Sequence, residues 1–208
     1  MSQREWLLEI RGSSVVILGV INGLVSEIEI VKEALERHKP GALGVALSAS
    51  EVDGVRIWNR DSSAKPDYTE FDAFYTREMS KYGEIKLPSP PFSYTIGVSD
   101  AAGIPLYPLD IDDDEYSELY LKNVSPVSLF FSSLLNRRSR KKSVGGTVEE
   151  AVCTIDRLAM RPKGLAAVER ERERHIAGNI RSQCKEYSPF FAVIAYERAG
   201  GVLHFLNE

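Results

Sequence analysis

The length, composition and charge of this chain fit a folded globular protein and exclude several other classes. It has 208 residues, of which 43% are hydrophobic and 27% are charged, and its formal net charge is −4. A chain of this length buries roughly 70% of the surface that its unfolded form exposes, so folding needs neither disulfides nor a structural metal. A mildly acidic chain is a poor general binder of polyanions, which argues against nucleic acid as a partner. We predict one domain spanning residues 1–208.

Cysteine usage and the amino-terminal sequence predict a cytoplasmic protein. Cys153 and Cys184 form neither a CxxC pair nor a zinc-binding spacing, so we expect ordinary reduced thiols. The residues after Met1 resemble neither a signal peptide nor a transit peptide. The longest apolar run, residues 15–21, is too short to span a bilayer, so we predict no transmembrane segment.

The first quarter of the chain has the pattern of a βαβ unit. Residues 15–20, VVILGV, form a continuous apolar run that is typical of a central strand. An amphipathic helix ending at Pro40 follows, and residues 42–47 form a second strand, expected to be parallel to the first. Residues 48–67 then predict one helical turn capped by Ser50 and a polar loop, with a loop insertion at about 56–68.

The middle of the chain predicts two helices and a third strand. A helix capped by Asp67 or Thr69 ends at about Met79. The sequence LPSPPF, residues 87–92, predicts an extended connector before a helix at 92–102. Residues 104–111 contain a strand that its prolines place near an edge of the sheet.

The last part of the chain completes an α/β pattern. We predict, in order, an acidic helix start at 110–114, an apolar segment at 125–135, a basic loop insertion at 136–146, helices at 147–160 and 163–186, a strand at 190–196 and a turn at 198–201. The predicted fold is therefore α/β, with a central, mostly parallel or mixed sheet flanked by helices on both faces.

Motifs for catalysis or metal binding are absent from the sequence. The three histidines, His38, His175 and His204, have no spacing typical of a metal site, and there is no HExxH, GxSxG or Walker pattern. The acidic residues at 110–114 could hold a divalent cation, but a helix N-terminus that favours negative charge explains them better. We therefore predict no catalytic residue, no metal and no cofactor.

Two basic stretches have different interpretations. RRSRKK, residues 137–142, has no interleaved aromatic residues and is most simply a solvated loop. In ERERER, residues 169–174, Arg172 falls on the helix stripe of Val168 and Ile176, approximately the apolar side. An arginine on a buried face needs a carboxylate or a ligand anion, so Arg172 is the best functional candidate from pattern alone.

The order of the motifs resembles the TraB family, which is related to the Tiki proteins and more distantly to the erythromycin esterase-like group. That family opens with an apolar strand and a Gly-x-x-His motif, and its next strand carries Val-Glu-Leu-Asp. The corresponding pieces here are VILGVIN and VALS. The first family histidine therefore falls on Asn22, the glutamate on Ala46 and the aspartate on Ser48.

The second half of the resemblance adds three positions. A family strand Gly-Ile-Pro-Val ends in Asp-Arg, and GIPLYPLDID keeps Asp110 without the arginine. A late family helix carries Glu-Arg-Asp-Arg-Tyr-Met-Ala, and ERERHIA follows it with the family arginine on Arg172. The final Gly-Ala-Gly-His motif aligns with FAVIAYERAGGV and places Arg198 at the second histidine.

The resemblance implies a hydrolase or metalloprotease scaffold that has lost its chemistry. Asparagine and alanine supply neither a metal-binding nitrogen nor a general base, and arginine is a fixed cation. We therefore expect a catalytically degenerate TraB-like domain with a regulatory or interaction role. It would bind a small anionic molecule or peptide through Asn22, Ser48, Asp110, Arg172 and Arg198.

Two alternatives stay open at this point. One is a hydrolase or metallopeptidase of the TraB/Tiki type with a rebuilt site, using Asp110 or the aspartates at 112–114 with a histidine. The other is a structural subunit, in which the apolar segment SPVSLFFSSLL at 125–135 forms a homodimer face or a membrane-surface helix.

Overall fold

The chain folds around one mixed sheet of five strands, which confirms the predicted α/β class. The structure is a computed structural model that describes residues 4–61, 69–126 and 144–208. The strands are β1 (Glu5–Ile10), β2 (Ser13–Val20), β3 (Ala42–Val45), β4 (Leu106–Pro108) and β5 (Phe190–Ala195). Their order across the sheet is β1-β2-β5-β3-β4.

Three of the four strand pairs are parallel, so four strands end at the same edge of the sheet. β2 pairs with β5, β5 with β3 and β3 with β4 in parallel, whereas β1 is antiparallel to β2. As the prolines predicted, β4 is an edge strand. The carboxyl ends of β2, β3, β4 and β5 therefore lie side by side.

Eight helices surround the sheet in the described part of the chain. They are α1 (Glu27–His38), α2 (Ala49–Arg60), α3 (Glu70–Met79), α4 (Pro90–Ala102), α5 (Asp113–Asn123), α6 (Val148–Ala159), α7 (Leu165–Gln183) and α8 (Tyr196–Leu206).

Helices cover both faces of the sheet because alternate strand residues point to opposite sides. Ile17 and its neighbours on one face form a core with α7 and α8, which contribute Ile176, Ile180 and Val202. Leu18 lies on the other face in a second core with α1, α2 and α4. Burial on both faces explains why β2 and β5 are continuous apolar runs.

A third apolar cluster covers the carboxyl edge of the sheet. Ile21 and Leu24, just beyond β2, pack against Phe74 and Met79 of α3 and Ile155 of α6. These two helices therefore form a roof over the strand ends, which is the part of the fold that defines the candidate site.

Two predicted irregular stretches are helical. The single turn predicted with Ser50 as its cap and the polar loop predicted after it are helix α2 as far as Arg60. The cap is Ser48, which forms a capping box with Glu51, and Val52 and Val55 are buried one turn apart. The predicted turn at 198–201 lies inside helix α8.

The first strand was not predicted. β1 alternates in burial, with Trp6, Leu8 and Ile10 more buried than the residues between them. Arg11 and Gly12 both have positive φ values, 53° and 84°, which is the conformation of a two-residue hairpin turn into β2.

Three predicted segments fall largely outside the described residues. They are the loop insertion at about 56–68, from residue 62 onward, the apolar segment at 125–135, from residue 127 onward, and the basic loop at 136–146, up to residue 143. Among the helices that the structure describes, none combines the length and the apolar character needed to cross a membrane.

Candidate functional site

A pocket lies at the carboxyl edge of the parallel strands, beneath the α3–α6 roof. Its volume is about 310 Å³. Residues just beyond four strands line it, namely Asn22 after β2, Ala46 and Leu47 after β3, Asp110 after β4, and Glu197 and Arg198 after β5. Open α/β sheets bind ligands at this edge, so the position makes it the leading candidate site.

The structure brings four of the five sequence-predicted site residues into this pocket. They are Asn22, Asp110, Arg172 and Arg198. Ser48 does not line the pocket. Its hydroxyl accepts a hydrogen bond from the backbone N–H of Glu51 at 3.2 Å and caps helix α2. Ala46, which aligns with the family glutamate, also lines the pocket.

Arg172 is held by two carboxylates. Its Nε and Nη2 donate to Asp110 Oδ1 and Oδ2 at 3.2 and 2.5 Å, and its Nη1 donates to both oxygens of Glu169 at 2.9 and 3.0 Å. Burial lowers the pKa of Arg172, but the hydrogen bond and charge of Asp110 outweigh it and raise the pKa overall. Each of the three guanidinium nitrogens therefore donates to a carboxylate of the protein.

Arg198 is surrounded by three further carboxylate contacts. Its Nη2 donates to Asp156, its Nη1 donates to Glu173 Oε1 at 3.3 Å, and its Nε lies 3.6 Å from Glu169 Oε2. Burial lowers the pKa of Arg198, yet an arginine stays charged at neutral pH. The positive charges of both pocket arginines are thus balanced by carboxylates of the protein.

Two side-chain oxygens in the pocket lack hydrogen-bond partners among the described residues. They are Asn22 Oδ1 and Glu197 Oε2, and both atoms are inaccessible to solvent although the residues themselves are half-buried. The Tyr75 hydroxyl donates to the backbone oxygen of Asn22 at 2.8 Å, which fixes this loop beneath α3. Two residues that line the cavity therefore each carry a buried acceptor without a partner.

Two pocket carboxyls have raised pKa values. Burial, and then the charge of Glu169, raise the pKa of Glu173 to about 7. Burial also raises the pKa of Glu197 to about 7, with Glu169 adding to the effect against a backbone hydrogen bond that lowers it. Both groups can therefore gain or lose a proton near neutral pH.

A buried ion pair positions the end of β2. Glu27 Oε2 accepts the backbone N–H of Ile21 at 3.1 Å, and Glu27 Oε1 accepts Nη1 of Arg4 at 2.6 Å. Arg4 also donates through Nε to Glu149 of α6 at 2.9 Å. These contacts tie α1, α6 and the chain start to the residue that precedes Asn22.

The histidines lie away from the pocket. His38 contacts Glu5 at 2.9 Å, His204 lies 3.2 Å from Glu208, and His175 lines a surface groove between α5 and α7. Within residues 4–61, 69–126 and 144–208, no group of three or more His, Cys, Asp or Glu side chains is arranged to hold a metal ion. Asp112 and Asp113 stand at the start of α5, where Asp113 accepts from Ser50 at 3.0 Å.

Sequence reasoning missed the acidic half of the site. Glu169 and Glu173 flank Arg172 at positions −3 and +1, and Glu197 directly precedes Arg198. The spacing of Glu169 from Arg172 is a recognised helix pairing, so it could have been predicted. Asp156 could not, because it lies 42 residues from Arg198 in the chain.

Comparison with known proteins assigns no family. No family model matches the sequence, and a search of curated proteins finds no match.

Proposed function

We propose that this chain is a catalytically degenerate TraB-like domain that binds a small organic ligand in the strand-end pocket, with a regulatory or interaction role in the cytoplasm. The observation that carries the proposal is a pair of buried acceptors, Asn22 Oδ1 and Glu197 Oε2, without a partner in the described part of the chain. Both belong to residues that line a cavity of about 310 Å³. A buried polar group without a partner costs about 1–3 kcal/mol, which a ligand donor would recover.

The TraB-like part of the proposal is supported by the convergence of separate motifs. Six positions align with family motifs, and five of them line one pocket, namely Asn22, Ala46, Asp110, Arg172 and Arg198. The sixth, Ser48, does not line it. Residues from four strand ends and one helix meet there although they are spread over most of the chain. The replaced histidines and glutamate are the reason for proposing binding without the family chemistry.

The described contacts of the two arginines bear on the charge of the ligand. The sequence predicts an anionic ligand because Asn22, Ala46 and Arg198 stand where the family has its histidines and glutamate. In the described structure both guanidinium groups contact carboxylates. These contacts give no support to an anionic ligand. The proposal therefore specifies only a ligand that can donate hydrogen bonds to the buried acceptors.

A thermal-shift screen with small acids, amines, alcohols and amides tests the proposal. A ligand at ~100 times its Kd stabilises a protein by ~2.7 kcal/mol, so even weak binding is measurable. The variant Ala46→Met, which fills the pocket, should abolish the shift. Ala101→Met on the exposed end of α4 is the matched control and should keep it.

Two outcomes would count against a binding pocket. One is a screen in which no compound raises the melting temperature of the wild-type protein. The other is a shift that survives in Ala46→Met, since the compound would then bind elsewhere. Asn22→Leu, which removes the buried amide, serves as a second pocket variant if Ala46→Met folds poorly.

A hydrolase of the TraB/Tiki type with a rebuilt site is the second candidate. The version that needs a histidine has no support, because the three histidines lie outside the pocket lining. The raised pKa values of Glu173 and Glu197 favour a carboxyl-based version, since a general acid or base works best with a pKa near the working pH. Turnover of an ester or peptide panel that disappears in Glu197→Gln would support it.

A further inference from the structure

We propose that the ligand of this pocket is an organic cation, with a primary ammonium group on an apolar stem. The inference rests on the proposed ligand-binding function and names the chemical class of the ligand. The geometry that points to it is a pocket whose unpartnered groups are acceptors, whose cations are already neutralised and whose remaining walls are apolar.

The balance of charge in the pocket lining is negative. Seven carboxylate side chains and two guanidinium groups line the cavity. Two of the carboxylates, Glu51 and Asp72, already accept hydrogen bonds from the N-terminal residues of their helices, at 2.8 and 2.9 Å. The other five are Asp110, Asp156, Glu169, Glu173 and Glu197.

Among these five carboxylates, Glu197 is the one for which the described contacts include no ion pair with an arginine. Asp110, Asp156 and Glu169 are in contact with Arg172 or Arg198, and Glu173 shares Arg198 with them. For Glu197 the described contacts include no ion pair, and its Oε2 is enclosed without a hydrogen-bond partner. A cation that reached Oε2 would meet a desolvated carboxylate, where charge-assisted hydrogen bonds are strongest.

The titratable groups that interact electrostatically with Glu197 do not supply that cation. Its charge acts on Tyr75 of α3 and Cys153 of α6, and Glu169 of α7 acts on it. These neighbours are two weak acids and a carboxylate. An anionic ligand at this position would therefore meet repulsion, whereas a cation would relieve it.

Asn22 provides a second acceptor from a neighbouring strand. β2 and β5 are paired in the sheet, and Asn22 and Glu197 each follow the end of one of them. A primary ammonium group carries three donors and no acceptor. It can therefore donate to more than one acceptor at once, whereas an alcohol has a single donor.

The size and walls of the cavity favour an organic ion over a bare metal ion. A volume of about 310 Å³ lies at the lower end of small-molecule sites. Apolar and aromatic side chains complete the lining, including Phe71, Tyr75, Phe92, Val152 and Ile155. Such walls can pack against a hydrocarbon stem, and aromatic rings also attract an ammonium group.

A set of isosteric ligands tests the inference. Hexylamine, hexanol and hexanoate share one carbon chain and differ in the charge of the head group. Titration calorimetry is done at about pH 8, above the pKa of about 7 of Glu197, where this carboxyl is ionised and the amine is protonated. We expect hexylamine to bind at least about tenfold more tightly than hexanol, and hexanoate to bind most weakly.

Two variants assign the binding to Glu197. Glu197→Gln should weaken hexylamine by about tenfold or more and leave hexanol nearly unchanged, because it removes the charge and keeps the shape. Glu33→Gln, on the exposed side of α1, removes an equal charge outside the pocket and should leave both affinities unchanged. A peptide with an acetylated amino terminus and one lysine, compared with hexylamine, decides whether the ammonium group comes from a protein side chain or a free amine.

Failure of this inference is distinguishable from failure of the proposed function. If hexanoate or hexanol binds as well as hexylamine and Ala46→Met removes that binding, the pocket binds ligands but the cation assignment is wrong. If hexylamine binds equally well to Glu197→Gln, the assignment is also wrong. If no compound of the broader screen binds the wild-type protein, the proposed function fails and the inference fails with it.

Discussion

Asp110 and Arg172 connect the end of β4 to the middle of α7 through two parallel hydrogen bonds, at 3.2 Å for Nε to Oδ1 and 2.5 Å for Nη2 to Oδ2. The Asp110 side chain is 3% exposed and the Arg172 side chain 29%. Arg172 also lies over the ring of Tyr116, with its Cζ 5.5 Å from the ring centroid. The pair fixes α7 against the strand ends and so sets one wall of the pocket.

Removing Arg172 should destabilise the protein substantially. Arg172→Ala leaves Asp110 and Glu169 without their shared cation in a mostly buried setting. Breaking a fully buried pair costs about 3–5 kcal/mol, and the partial exposure of Arg172 lowers our expectation to about 2 kcal/mol. Urea unfolding followed by circular dichroism measures the difference.

Lys32→Ala is the control for this variant. Lys32 and Glu29 form an exposed ion pair on α1, with side chains 46% and 69% exposed. Its loss should change the free energy of unfolding by about 0.5 kcal/mol or less. Equal effects of the two variants would show that Arg172 and Asp110 contribute no more than a surface pair.

The parts of the fold that could be predicted are those with a local signal. β2 and β5 are continuous apolar runs, because both of their faces are buried. The sequence predicts a turn at 198–201, but helix α8 runs through these residues. Burial of Ala199, Val202 and Phe205 stabilises it as a helix, and that packing is tertiary.

The sequence could predict only those site residues that lie at the ends of parallel strands. Parallel pairing alone brings Asn22, Asp110 and Arg198 to one edge. The partners of the arginines could not be predicted from local pattern, because Asp110 lies 62 residues from Arg172. The sequence therefore predicted the location of the pocket but not that its arginines are neutralised.

The ion pair beneath β2 should be important for stability. Glu27 is 1% exposed and accepts from Arg4 and from the backbone of Ile21. Glu27→Ala removes both contacts and leaves the Ile21 N–H without its acceptor, so we expect a loss of about 3 kcal/mol in the free energy of unfolding.

Glu29→Ala tests whether that loss is specific to burial. Glu29 lies two residues along the same helix turn with a side chain 69% exposed, and its replacement should cost about 0.5 kcal/mol or less. Chemical denaturation of both variants compares them directly. A small effect of Glu27→Ala would mean that water replaces the carboxylate at no cost.

Two adjacent glycines in α8 should respond oppositely to alanine. A Cβ at Gly201 would lie 2.0 Å from Glu173 Oε2, whereas a Cβ at Gly200 meets nothing within 4 Å. Gly200→Ala should stabilise the helix by about 0.5–1 kcal/mol through propensity alone. Gly201→Ala must push Glu173 away from Arg198, so we expect it to lose that gain and about 1 kcal/mol more.

Thermal unfolding of the two glycine variants is the measurement. For a chain of this size 1 kcal/mol corresponds to a shift of about 2–4 °C in Tm. The same variants report on the pocket, because Gly201→Ala should also weaken ligand binding and Gly200→Ala should not. Equal melting temperatures would show that Glu173 moves freely and that its contact with Arg198 contributes little.

The raised pKa of Glu197 gives the protein a defined dependence on pH. The folded value of about 7 lies above the ordinary value of 4.5, so the folded state holds this proton more tightly than the unfolded state. The resulting stability is fully present below about pH 4.5 and is lost as the pH rises through about 7. Glu173 titrates in the same window and in the same direction.

Glu197→Gln should remove one of these two contributions. We expect the variant to match the wild-type protein near pH 4.5 and to be more stable at about pH 8, by an amount on the order of 1 kcal/mol, because the glutamine never carries the buried charge. Glu33→Gln, exposed on α1, should show no such difference. Unfolding curves recorded across this pH range measure the difference in stability. If Glu197→Gln is less stable than the wild-type protein at about pH 8, the carboxylate of Glu197 is stabilised by a cation in the folded protein.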